Sequence, residues 1–153
     1  MKVYFVQHGE AEDEKKDLLR PLSEKGRFET GRIAGLLAVS GMVKINRVYH
    51  SGKLRAKQTA EIFAGALGAA DMVHEVKGLM PMDNPSDCIK MIEAETEDIM
   101  IAGHLPHLAK TVSKLLCGDE NKKIAVFYYS GVICVEKQQD NSWAVVPVFC
   151  RPA

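Results

Sequence analysis

The chain has 153 residues, enough for one domain around a single core, and 46% apolar with 26% charged residues is an ordinary globular composition. Its 20 basic and 20 acidic residues cancel, so no basic excess argues for nucleic-acid or anionic-membrane partners, although a small basic pocket is compatible with that balance. Residues 1–153 are read as one domain with a cytoplasmic location. Only a four-residue apolar run, Val3-Tyr4-Phe5-Val6, precedes Gln7, too short for a secretory leader, and no stretch approaches the length of a membrane span.

Residues 2–6 are β-branched and aromatic and predict a strand ending at Gln7-His8-Gly9. A polar loop follows, closed by Arg20-Pro21-Leu22. Ser23 predicts the N-cap of a helix with Phe28, Ile33, Leu36 and Leu37 on its apolar face and Gly41 at its end. Gly26, Gly31 and Gly35 oppose that helix by propensity. A second strand is expected at residues 47–50. The helix after it places Leu54, Thr59, Ile62, Phe63 and Leu67 on one side and stops at Gly68.

A short strand at residues 73–76 precedes Asn84-Pro85, a cap followed by the residue best suited to the first helical position. Cys88, Ile89, Met91 and Ile92 form the apolar side of that helix. Residues 98–102 predict a buried strand, interrupted at Gly103-His104-Leu105-Pro106, and a helix runs from His107 to Gly118. Residues 124–128, 132–135 and 143–149 predict further strands, with a turn at Asp140-Asn141. The alternation of strands and helices predicts an α/β three-layer sandwich whose central sheet is mainly parallel and mixed at one edge.

The four cysteines, Cys88, Cys117, Cys134 and Cys150, have no CxxC spacing, so a zinc ribbon is not expected. Reduced, mostly buried thiols are expected in place of a disulfide framework, because the chain is long enough to need no staples. His104 and His107 are three apart, but Pro106 breaks the helix that would align them on a metal, and no metal or other cofactor is expected.

Three segments share a placement. Gln7-His8-Gly9, residues 51–55 and Gly103-His104 each follow a predicted strand, and ligands of open α/β sheets bind outside the carboxyl ends of the strands. Two histidines and Arg55 can therefore converge. A neutral imidazole is a competent nucleophile towards phosphorus, and a phosphoryl group in transit needs fixed donors, Arg above all, around its oxygens. Taken singly, each of these residues is as ordinary as a surface histidine or a solvated helical arginine; the conjunction carries the reading.

The chain reads VQHGEAE at 6–12, RPLSEKG at 20–26, HSGKLRAKQTAE at 50–61 and GHLPHLA at 103–109. In this order and spacing the segments resemble the histidine phosphatase superfamily, and most of all its short SixA-type phosphohistidine phosphatases. The likeness extends over nearly the whole chain, to about residue 137. It implies a phosphoglycerate-mutase-like fold and a phosphatase acting through a transient phosphohistidine on His8. The family precedent uses Nε2 as nucleophile with Nδ1–H held by a main-chain carbonyl.

The resemblance further implies that Arg55 clamps the phosphoryl oxygens and that His104 donates to them as imidazolium or neutral N–H. Arg20 would lie at the pocket mouth, and Gln7, Gly9 and Ser51 would complete the phosphate site. Glu10 and Glu12 are the nearest candidates for a proton donor, set against the plainer reading of solvated loop carboxylates. The partner implied is a phosphorylated protein, such as a histidine phosphorelay domain, or a small phosphorylated molecule.

Two residues depart from the family pattern. Gln7 stands where the family has arginine, removing one charge-assisted contact worth roughly 1.5–3 kcal/mol. Gly52 stands where many relatives have proline, which bears on loop stiffness. Three functions are compatible with these residues: a phosphohistidine phosphatase, a phosphatase of small phosphate esters, and a catalytically weakened module that binds phosphate or phosphoprotein.

Overall fold

Residues 3–6 and 99–102 are buried on both faces, the pattern of strands inside a sheet that helices cover on either side. The computed structural model describes residues 1–148, in which β1 (Lys2–Gln7), α1 (Glu24–Ser40), β2 (Arg47–His50), α2 (Leu54–Ala66) and β3 (Val73–Glu75) are followed by α3 (Pro85–Glu93), β4 (Ile99–Gly103), α4 (His107–Cys117), β5 (Val132–Lys137) and β6 (Trp143–Val146). The six strands form one mixed sheet in the order β3-β2-β4-β1-β5-β6. The first four are parallel, and β5 and β6 extend the sheet antiparallel at one edge.

The two sides have separate cores. Tyr4, Val6, Val48, Met100 and Ala102 pack with Ala34 and Leu37 of α1 and Ala60, Phe63 and Ala64 of α2. Val3, Phe5, Ile99 and Ile101 pack with Cys88 and Ile92 of α3 and Leu108 and Val112 of α4. The result is the expected three-layer α/β sandwich. Register aligns its functional edge: His50 and Val6 both lie opposite Ala102, so β1, β2 and β4 end at one level. The helices after the neighbouring strands β1 and β4 cover opposite faces. That reversal opens a crevice between their carboxyl ends, the place where such sheets hold ligands.

Local signals set the helix ends. Ser23 Oγ accepts from Gly26 N–H at 2.9 Å, Asn84 Oδ1 accepts from Ser86 N–H at 2.9 Å, and Gly41 and Gly118 close α1 and α4 in the left-handed region.

Two sequence-based expectations are corrected here. The buried side of α1 is Gly26, Thr30, Ala34 and Leu37, while Phe28 and Leu36 are 69% and 56% exposed. Apolar spacing placed Leu37 and Ile33 against the core but misplaced Phe28 and Leu36, because the helix otherwise meets its neighbours through small residues and a satisfied polar one. Thr30 Oγ1 donates to Gly26 O at 2.6 Å and bonds Ser130 Oγ at 2.7 Å. Residues 124–128 are not a strand. The free edge of β1 is taken by β5, so this β-prone segment has no ladder to join, and of its side chains Val126 and Tyr128 are largely exposed.

Cys88 and Cys134 are free and buried, and Cys117 is free but exposed. Cys150 and Phe149 lie outside the described residues. Among the described residues, no helix is long and apolar enough to cross a membrane.

Candidate active site

The loops after β1, β2 and β4 meet at the crevice. His8 N–H donates to Gly103 O at 3.0 Å, tying the first loop to the third, and the His8 and His104 ring centroids lie 5.1 Å apart. Both histidines are buried. Gly9 O can only accept, so the 2.7 Å contact from His8 Nδ1 assigns the proton to Nδ1 and leaves the lone pair on Nε2. Arg55, in the first turn of α2, donates from Nε to that Nε2 at 3.3 Å. The side chain expected to attack phosphorus and the one expected to clamp it are thus in contact.

Ser51 Oγ bonds His104 Nε2 at 2.6 Å and accepts from Lys53 N–H at 3.3 Å, so Ser51 orients the second histidine and the start of α2 together. Arg20 adopts φ +45 and donates from Nε to Glu12 O at 3.1 Å, which turns its guanidinium into the groove that Arg55 also lines. Gln7 ends β1, and its Oε1 is buried with no partner among the described residues. No three His, Cys, Asp or Glu side chains gather at metal-binding geometry among the described residues.

Gly9 has a different part from the one expected. Its N–H is committed to Thr59 Oγ1 at 3.0 Å, and a Cβ there would overlap Thr30 Oγ1 and crowd Leu22 and Ser130. The glycine is required by the close approach of the β1 loop to α1 and α2, and its amide does not point at an anion. Glu10 and Glu12 are also not brought to His8. Glu10 accepts from Ser23 Oγ at 3.0 Å and pairs with Lys25 at 3.5 Å, and Glu12 pairs with Lys16 at 3.1 Å. Both line a separate groove of about 600 Å³ beside Ser23, Lys25 and Phe28.

Sequence reasoning missed four participants. Thr59 accepts from Gly9 N–H and donates to Arg55 O at 2.7 Å, linking the His8 loop to the helix that carries Arg55. Gln58 Oε1 accepts from Leu22 N–H at 2.8 Å and so holds the loop bearing Arg20. The Gln58-Thr59 pair within HSGKLRAKQTAE was the available signal. Tyr129, 5.8 Å from His8 between ring centroids, and Glu75, at the end of β3, had none. Gly52 has φ +90, closed to proline and strained for any other L residue, and a Cβ there would press on the Glu75 carboxylate. The departure at position 52 therefore sets the path of the loop, not merely its stiffness.

Burial pushes the His8 imidazole down to about 4, with Arg55 and Arg20 lowering it further against the opposing bond to Gly9 O. Burial, then His8 and Arg55, push His104 down to about 3. Both rings are neutral near pH 7, which leaves the His8 Nε2 lone pair unprotonated beside Arg55.

The unfolded chain protonates its histidines near pH 6.5 while the native site excludes those protons. Stability is therefore complete above about pH 6.5 and declines as the pH falls, down to about pH 4 for His8 and about pH 3 for His104, by up to roughly 1.4 kcal/mol per pH unit for each. Two outcomes are expected: a thermal midpoint that drops between pH 7 and pH 5 in ligand-free protein, and a kcat/KM acid limb below pH 5. A rate profile breaking at pH 6.5 would mean that the two imidazoles titrate as solvated ones do.

Two uncharged imidazoles with Arg55 and Arg20 acting on them lie at the carboxyl edge of an α/β sheet, a setting suited to an anion. A family model for the histidine phosphatase superfamily (branch 1) matches residues 3–98, more than half of the chain, and the protein belongs to that superfamily. Solved structures agree on the fold. The protein histidine phosphatase SixA complexed with tungstate is 24% identical, with a TM-score of 0.82 over 95% of this chain and 94% of that one. The putative phosphohistidine phosphatase SixA from Agrobacterium tumefaciens is 20% identical, with a TM-score of 0.77 over 99% and 97%. The ecdysone phosphate phosphatase from Bombix mori, also with tungstate, is 17% identical, with a TM-score of 0.68 over 99% and 94%. No curated protein matches the chain.

Proposed function

We propose that this phosphatase hydrolyses phosphohistidine on a protein by way of a phosphohistidine on its own His8. The observation that carries the proposal is the neutral His8 imidazole, its proton fixed on Nδ1 and its Nε2 lone pair facing Arg55 at 3.3 Å. Nε2 attacks phosphorus, the P–N bond to the substrate imidazole breaks, and the bonding pair leaves with that imidazole. Water then attacks the phosphoryl group on His8; the P–Nε2 bond breaks, its electron pair returns to Nε2, and phosphate and a proton are released.

Arg55 balances the oxygens through both steps, and His104 donates from its neutral ring or, once the phosphoryl charge is bound, as imidazolium. An imidazole protonated on its other nitrogen leaves as a neutral group and asks little of a protein acid. That modest demand fits a site whose neighbouring carboxylates, Glu10 and Glu12, are engaged elsewhere.

Glu75 favours a second reading. It shares a groove with Arg55 and could protonate the departing oxygen of a small phosphate ester. Turnover of a histidine-phosphorylated phosphotransfer domain is therefore to be compared with that of phenyl phosphate. The proposal expects the larger kcat/KM for the P–N substrate and little effect of Glu75→Gln upon it. Faster ester turnover that collapses in Glu75→Gln would replace it with the ester reading. Phosphate binding without any turnover would leave the weakened binding module that Gln7 suggests.

A further inference from the structure

We infer that the rim of the His8 crevice is a docking surface for the protein that carries the phosphohistidine, and that this partner presents an acidic, partly apolar face. The inference rests on the phosphohistidine reading above and deepens it by naming the surface. A groove of about 640 Å³ runs from Arg55 past Arg20, Lys53 and Lys57 to Leu18 and Leu19. Leu18 and Leu19 are 85% and 70% exposed on the turn before Arg20, and nothing in their own fold covers them.

The apolar character continues around the crevice. Leu105, 39% exposed, directly follows His104, and Tyr129, 48% exposed, stands over His8 next to a largely bare Tyr128. Phosphate itself, or a small polar ester, gains nothing from such side chains. Apolar and aromatic groups set around arginine are what protein interfaces bury at their centres.

Charge selects the sign of the partner. The groove holds four cations against two carboxylates, Glu14 and Glu75, a local excess of two in a chain with no net charge. Among the described residues no carboxylate lies within 4.0 Å of the Lys53 ammonium or the Arg20 guanidinium, whereas Lys57 has only a 3.9 Å contact with Glu61. Cations left unpaired at the edge of a phosphate pocket steer an acidic surface towards it and set its approach.

The experiment measures phosphate release by wild type, Leu18→Asp/Leu19→Asp and Lys57→Glu from two probes. One is an acidic phosphotransfer domain phosphorylated on histidine; the other is free phosphohistidine. The double leucine variant is expected to lose about tenfold or more in kcat/KM on the domain, and Lys57→Glu several-fold, with free phosphohistidine unaffected. Unchanged rates on the domain, or equal losses on both probes, would overturn the docking surface while leaving the phosphatase reading intact. Sedimentation of wild type, but not of the leucine variant, with anionic phospholipid vesicles would reassign the rim to a membrane. A wild type that hydrolyses phenyl phosphate but not the phosphorylated domain would sink the phosphohistidine reading itself.

Discussion

Replacing His8 with alanine should reduce phosphatase turnover by on the order of 10⁴-fold or more and eliminate any acid-labile phosphoenzyme. The expectation follows from position and protonation together. Nε2 of His8 is the neutral lone pair that faces Arg55, and the other imidazole in the crevice, His104, has its Nε2 engaged by Ser51. Arg55 and His104 remain in the variant and can still bind phosphate, so an intact affinity with no turnover is the signature sought.

The same substitution has a consequence unrelated to activity. Native His8 excludes a proton that the unfolded chain accepts below about pH 6.5. His8→Ala should therefore flatten the acid loss of stability by up to about 1.4 kcal/mol per pH unit. Single-turnover labelling and thermal melts across pH test the two parts separately. Retained turnover in His8→Ala would remove this residue from the mechanism.

Gln7→Arg should raise kcat/KM by roughly tenfold to a hundred-and-fifty-fold, the equivalent of regaining 1.5–3 kcal/mol of charge-assisted contact in the transition state. Gln7 directly precedes His8 at the end of β1, and its buried Oε1 has no partner among the described residues. A guanidinium there would bring charge and a two-pronged fork. It would also crowd a third cation into a crevice where Arg20 and Arg55 already act on His8.

Without an anion that crowding should lower the melting temperature of Gln7→Arg, and inorganic phosphate should restore it, because ligand binding stabilises only the folded state. Wild type should show a smaller phosphate-dependent shift. An unchanged kcat/KM together with no added phosphate response would mean that the side chain at position 7 does not reach the phosphoryl group.

Much of this arrangement is legible in the order and type of the residues. Strands at residues 2–6 and 98–102 could be read because a strand covered on both faces carries an unbroken apolar run, here residues 3–6 and 99–102, the strand at 47–50 from its Val48-Tyr49 pair, and helix ends at Ser23, Asn84 and Gly118 because capping is local chemistry. The meeting of His8, Ser51, Arg55 and His104 also followed from order alone, since parallel strands deliver the loops after them to one edge.

The errors have a common origin. The inward face of α1 was misjudged because Gly26, Thr30 and Ala34 are buried through close approach, not through hydrophobicity. Residues 124–128 have the composition of a strand and lack only a free edge to pair with. Glu10 and Glu12 stand close to His8 in sequence, yet Lys25, Ser23 and Lys16 claim their carboxylates.

Apart from Arg20, whose place came only from the family resemblance, residue types and spacing by themselves determined the layer architecture, the end of the sheet that carries chemistry, and the two imidazoles and Arg55 gathered there. Those follow from periodicity, capping and strand order, which act over short stretches of chain. Only the tertiary structure decided which nitrogen of His8 bears the proton, that the Gly9 amide is given to Thr59, that Gly52 must turn past Glu75, and that two leucines stand bare beside the crevice. Each of these depends on which distant segment fills the space next to a group, and burial, hydrogen-bond partners and net field are properties of that neighbourhood.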